Sequence, residues 1–443
     1  MGNILQSNKI YNYILFIMMS VSSLVVLQFG GRTLFLFVQI IFCVFCFIKE
    51  KKIVFLKYNI INLIFLELII CTIVSLTSDM RYSYKKSAFF LALYSFILYF
   101  TACYVYLLLK RNFSIWIILK KGIKLMCLIQ LFWIPIQYIF YHFAGIDLNR
   151  LIFVDTLHLV KNASFIRSWE YFPSGFSWHS AILAPVFVIA FVLFKNTYLR
   201  ILIIVESLIC GNSTSFIGVV ICIIILGLNK LKNIKISSKI NPVKIIVFTA
   251  AFIIFFIVIL KTGLFEALLE RMHYLINRIK NPSTDTSASV HIGYFTKYPE
   301  ILKNSSLAQC LFGYGQGCSG YPITIMEGQY SHLDSWSIES DIVSILVSRG
   351  IIGFLCYYTF LIYIYIKGRK IDYRYSAVII PIIIQGFGYN VQWDYIFFIE
   401  ILLFISIKMK INFFEIECDK KKGLNLKNLV FDLMSKNKIK FIF

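Results

Sequence analysis

The chain has 443 residues, of which 59% are hydrophobic, 17% aromatic and only 15% charged, with a mean hydropathy of +0.78. A soluble fold of that length would leave most of its apolar surface in water, so the composition excludes a cytosolic enzyme, a disordered scaffold and a secreted disulfide module, and leaves a polytopic helical membrane protein. The formal net charge of +22 would suggest nucleic acid only if the basic residues shared one folded face, but they lie mostly in short gaps between apolar runs.

Read in chain order as spans of roughly 17 to 25 residues, the apolar runs predict an all-α protein with about twelve transmembrane helices. These lie at 10–29, 33–48, 59–76, 88–109, 123–143, 178–194, 197–210, 213–228, 242–261, 342–366, 375–389 and 394–407. With the N-terminus inside, 30 of the 44 Lys and Arg fall on inner segments and the excess alternates correctly through every span. Both termini are then cytoplasmic, and the basic charge is a topology signal with no nucleic-acid partner behind it. The first run has no small-residue cleavage site after it and reads as a retained start-transfer helix.

Five blocks of chain follow: the first five spans within 1–143, a first long outer loop at 144–177, spans six to nine within 178–261, a large outer loop at 262–340, and three last spans within 341–407. A basic cytoplasmic tail occupies 408–443. Long connections without a structural need are usually functional. The first loop carries Asp147, Arg150, Asp155, His158, Lys161, Arg167 and Glu170.

The large loop opens on LFEALLERMHYLINRI, whose apolar residues recur at helical spacing and predict a helix along the membrane surface. Arg271 and Arg278 share one face of it, either as solvated charges or as ligands for phosphate oxygens. LFGYGQGC places glycines at 313, 315 and 317, either for a tight turn or for close approach of the backbone to a ligand. It lacks the context of a dinucleotide fingerprint or a P-loop.

Where the loop meets the next span stand Glu339 and Asp341. Each fits a proton acceptor, or a helix cap that favours the dipole. Arg349 lies roughly 12 Å further along that helix, where a buried cation needs a partner or an aqueous cavity. Glu67, Glu206, His179, Gln385 and Glu400 are further polar residues inside spans. No Cys/His spacing resembles a metal or haem site, so no cofactor is expected. Cys310 and Cys318 both fall on the oxidising side and are a candidate disulfide.

The order of these features resembles the O-antigen polymerase and O-antigen ligase group of multispan glycosyltransferases. Arg167 precedes FPSGFSWHSAILAP; GNSTSFIGVV follows; then come the large loop closed by LFGYGQG, ESD, and SRGIIGF, together covering about residues 160 to 366. The resemblance implies a repeat-unit polymerase of O-antigen or capsule at the bacterial inner membrane. Its substrates would be oligosaccharides on polyprenyl pyrophosphate in the lipid bilayer, with a flippase and a chain-length regulator as pathway partners.

In such an enzyme Arg167, Arg271 and Arg278 would hold the diphosphate. Glu339, Asp341 or His332 would receive a proton, with His291 held behind them. Two departures stand out. His291 occupies a place where the group often has Arg, and the residue eleven before Gly350, where ligases tend to carry His, is Glu339. His332 lies too far upstream to fill that place, which favours polymerase over ligase.

Overall fold

The computed structural model describes residues 2–57, 59–163, 166–167, 170–232, 286–326, 338–389 and 394–415. These are mostly helical. α1 (Gly2–Val21), α2 (Leu34–Glu50), α3 (Asn59–Thr77), α4 (Tyr82–Arg111) and α5 (Ser114–Ala144) come first. α6 (Ala184–Leu193), α7 (Thr197–Ile209), α8 (Ser213–Lys232), α9 (Thr286–Lys303), α10 (Leu307–Phe312), α11 (Tyr321–Met326), α12 (Asp341–Gly368), α13 (Arg374–Gly388) and α14 (Asp394–Lys408) follow. The two short antiparallel pairs are β1 (Gln28–Phe29) with β2 (Arg32–Thr33), and β3 (Ile166–Arg167) with β4 (Glu170–Tyr171).

Five helices, α3, α4, α5, α8 and α12, are long and apolar enough to cross a membrane, which makes this a membrane protein. The predicted span at 242–261 and the basic tail beyond 415 lie outside the described residues. The first predicted run overshoots: α1 ends at Val21, and a hairpin turning on Gly30 and Gly31, both at positive φ, takes the chain back. The run at 178–194 resolves into a short 3-10 turn, Ser180–Leu183, and α6, in which all 10 residues are buried. A helix that is apolar on every side and too short to span is a core helix. α6 lies against α5, α7, α8 and α13.

α12 departs most from its predicted form, because at Gly350 the backbone turns to φ 68° and ψ −173°, breaking the helix into arms at 341–349 and 351–368. The arms fold back on each other. A Cβ placed on Gly386 of α13 would sit 3.5 Å from both Asp341 Oδ2 and Tyr358 Oη, and the carboxylate and phenol are hydrogen-bonded. A straight helix would hold those residues roughly 25 Å apart. Asp341 is therefore not at the outer mouth of a continuous span, as its sequence position suggests; it is 2% exposed inside the bundle.

The glycine run stabilises this reversal. In an unbroken helix the carbonyls of Val347 and Ser348 would accept from residues four further on. Here they accept from Tyr314 N and Gly315 N instead, each at 2.9 Å. A Cβ on Gly313 would lie 2.2 Å from the Ser348 carbonyl carbon, and one on Gly350 2.4 Å from that of Leu311. The glycines at 313 and 350 thus let one backbone meet another, and the ligand reading of the run gives way to this contact. Gly315 also abuts Ser75 and Ala88, so this part of the predicted outer loop is tucked against α3 and α4.

Beside the break, Arg349 Nε donates to Glu67 Oε2 of α3 at 3.0 Å, and its Nη2 donates to the same oxygen. Both residues are 3% exposed. The partner that a buried arginine requires is thus supplied from within the chain.

Candidate functional site

The site begins with a turn. Residues 172–179, FPSGFSWH, carry few regular backbone hydrogen bonds, yet this stretch is largely buried, so its polar groups need partners from elsewhere. α5 supplies two glutamines: Gln137 Oε1 accepts from Gly175 N, and Gln130 Oε1 from Phe176 N, both at 2.8 Å. Gln130 Nε2 donates to Ser23 O at 2.9 Å, and Val26 N donates to Phe176 O at 3.0 Å, tying the turn to the end of α1. Asn149, fully buried, donates to Gly175 O at 2.8 Å and accepts from Trp133 Nε1 at 2.9 Å. Ser174 and Ser177 exchange side-chain to carbonyl hydrogen bonds. Gly175 sits at φ +61°, where a Cβ would meet Gln130 Oε1.

This lattice fixes where His179 emerges. Its Nδ1 accepts from Ala181 N at 3.0 Å, capping the 3-10 turn. Its half-buried ring stacks on Tyr389, at the end of α13, with centroids 5.1 Å apart and planes 13° from parallel.

Tyr389 also feels the carboxylate of Glu339, which lies half-buried on the approach to α12. Tyr294 of α9 feels the same charge: burial pushes its phenol up, and Glu339 pushes it further. Tyr389 thus stacks on His179, two residues past the first long loop, and the Glu339 charge on the approach to α12 acts on both Tyr389 and Tyr294 of α9. Close by, Phe295 and Phe387 stack with their planes 19° apart.

Of the residues named from sequence, Glu339 falls in this cluster, while Asp341 lies deeper. Tyr357 Oη stands 3.3 Å from each oxygen of Glu400, and Asp341 and Glu400 act on one another. Arg167 lies on β3 opposite Glu170. His291 lies on α9. Arg271, Arg278 and His332 are outside the described residues.

Cys310 and Cys318 are not bridged. Both are free thiols, one donating to Leu302 O at 3.7 Å and the other to Tyr84 O at 3.4 Å, because docking of the glycine run turns them toward different helices. Among the described residues no group of three His, Cys, Asp or Glu is placed to hold a metal ion.

Sequence reasoning had His179 only as a polar residue within a span, and did not single out Tyr294 or Tyr389. No local signal marks them, since their partners come from distant parts of the chain. No protein-family model matches this sequence, and no curated protein matches it.

Proposed function

We propose that the protein is a glycosyltransferase that polymerises lipid-linked oligosaccharide repeat units on the outer face of a bacterial inner membrane. The observation that carries this reading is that the Glu339 charge acts on Tyr294 of the second long loop and on Tyr389, which stacks on His179 just past the first. The order of motifs from Arg167 to Gly353 supports it. A sugar hydroxyl of one lipid-linked unit attacks the anomeric carbon of a second glycan held on polyprenyl pyrophosphate. The new C–O bond forms as the bond to the diphosphate breaks, the hydroxyl proton passes to Glu339, and the lipid diphosphate leaves with its negative charge.

Arg167, Arg271 and Arg278 serve as diphosphate ligands, since an anionic leaving group rewards bidentate donors that do not titrate. Lys replaces them poorly. The buried position of Asp341 favours Glu339 as the base. The termini are cytoplasmic, and a Cys introduced at Ser287 reacts with an impermeant thiol reagent from outside, whereas one at Lys235 does not.

The test is complementation of a strain lacking the gene. Glu339→Gln protein at normal abundance makes little or no polymer, with a general base worth roughly 100-fold or more; wild-type polymer would overturn the assignment. Arg271→Ala lowers the rate by ~30-fold to ~1000-fold, the range for one lost contact to developing charge.

One observation favours a second reading, a flippase for the same lipid-linked units. The Asp341 and Glu400 carboxyls buried beside Tyr357 are the kind of intramembrane group that marks an ion pathway. Loss of a polymerase leaves single units on the outer face; loss of a flippase leaves them inside.

A further inference from the structure

We propose that Arg32 and Lys86 form a binding site for the phosphate of an anionic membrane lipid, where the β1–β2 hairpin meets α4. The inference stands apart from the glycosyl transfer proposed above and does not require it.

The hairpin joins the apolar helices α1 and α2, and its register sets Phe29 opposite Arg32. From β2 the Arg32 guanidinium reaches across to α4, where its Cζ stands 4.5 Å from the centre of the Tyr94 ring and 5.9 Å from that of Phe90. Those two rings are stacked with their planes 24° apart, a floor on which a cation is held. Among the described residues the guanidinium interacts with these two rings and with no acceptor atom. Ring contact supplies no oxygen to its five N–H donors. Lys86 lies one helical turn before Phe90 on the same stripe of α4, exposed and likewise without an acceptor among the described residues.

At the opposite end of α4 the charge is handled differently, since Arg111 donates to both oxygens of Glu50. Arg32 and Lys86 have no such carboxylate, and a phosphate is the acceptor whose charge and spacing of oxygens match a guanidinium fork. The surroundings assign that phosphate to a lipid. Phe29 and Phe37 are exposed beside the hairpin, edge to face with centroids 6.1 Å apart. A free anion gains nothing from exposed phenylalanines, whereas the acyl chains below a headgroup cover them. Net charge decides which lipid: phosphatidylcholine sets a fixed cation beside its phosphate, which two protein cations repel, and phosphatidylglycerol does not. Val26 donates its N–H to Phe176 O, so a lipid bound at the hairpin bears on the turn at 172–179.

The plain alternative is that Arg32 only clamps the hairpin onto α4 or reaches into water. Full-length protein in dodecyl maltoside is titrated with dioleoyl phosphatidylglycerol or dioleoyl phosphatidylcholine, and the lipid retained is measured by native mass spectrometry. Wild type should prefer phosphatidylglycerol by roughly 10-fold or more, the scale of one charge-assisted contact. Arg32→Gln should lose that preference, and Lys86→Gln should weaken it by roughly 3-fold to 5-fold, the scale of one exposed charge pair. Lys110→Gln, roughly 36 Å along the same helix from Lys86, should keep it.

Equal retention of the two lipids by wild type, or an undiminished preference in Arg32→Gln, overturns the proposal. So does displacement of the lipid by excess inorganic phosphate, which would make this a site for a free anion. An equal loss in Lys110→Gln also overturns it, because the lipid would then be answering to overall charge. If Arg32→Gln fails to accumulate, Lys86→Gln decides: a preference equal to wild type overturns the proposal.

Discussion

Arg349 and Glu339 stand ten positions apart, yet their surroundings differ. Arg349 is sealed onto Glu67, with a single carboxylate oxygen taking both of its hydrogen bonds at the point where α12 reverses. Glu339 is half-buried, and its charge acts on the phenols of Tyr294 and Tyr389. A guanidinium sealed onto one carboxylate serves the fold, whereas a half-buried carboxylate that acts on two phenols sets how readily those phenols ionise.

That contrast is broken most severely at the sealed pair. Glu67→Ala leaves the guanidinium buried without its partner and should destabilise the protein by about 3–5 kcal/mol. Loss of folded protein in detergent, read by size-exclusion fluorescence, checks this. The double variant Glu67→Leu with Arg349→Met should accumulate better than either single change, because replacing both charges by apolar groups removes the desolvation penalty. If the double variant is the worst of the three, the pair does more than seal the break.

The next largest effect falls on the glycines of the contact. Gly313→Ala forces a Cβ to 2.2 Å from the Ser348 backbone at a positive φ, and Gly350→Ala does the same against Leu311. Each should cost about 1–3 kcal/mol and lower the melting temperature. Gly227→Ala, with open space around it, should not. Equal behaviour of the three would mean that the backbone contact carries little of the stability.

These glycines also mark how far the sequence could be read. The bodies of α3, α4 and α5 were legible because long apolar runs bounded by charge have few alternatives. The need of Arg349 for a partner was legible for the same reason. The reversal inside α12 was not: hydropathy averages over a window, and one glycine at positive φ leaves the average unchanged. His179 and Tyr389 were hidden because only tertiary packing brings residues so far apart in the chain into stacking contact.

A smaller effect is expected where α12 leads into α13. Burial works to raise the Asp372 carboxyl, but hydrogen bonds from Arg374 and Asn412 outweigh it and hold the group below its ordinary value. A depressed carboxyl contributes stability that is present above the ordinary aspartate range and is lost as pH falls through and below it. Asp372→Asn should therefore lower the melting temperature near neutrality, and the gap from wild type should close on acidification. A gap that widens in acid would reverse the sign.

The smallest expected effect is none. With Cys310 and Cys318 bonded to different helices, reductant should leave the melting temperature unchanged, and both thiols should alkylate after unfolding without reduction.

The reversal at Gly350 also bears on the order in which the protein can be assembled. A ribosome makes Tyr314 and Gly315 before it makes Val347 and Ser348, so the amides that complete the broken helix already exist when its carbonyls appear. The pairing spans a short stretch of chain, and closing so small a loop carries a modest entropic cost. The hairpin can thus be formed as synthesis proceeds, without waiting for the C-terminal helices.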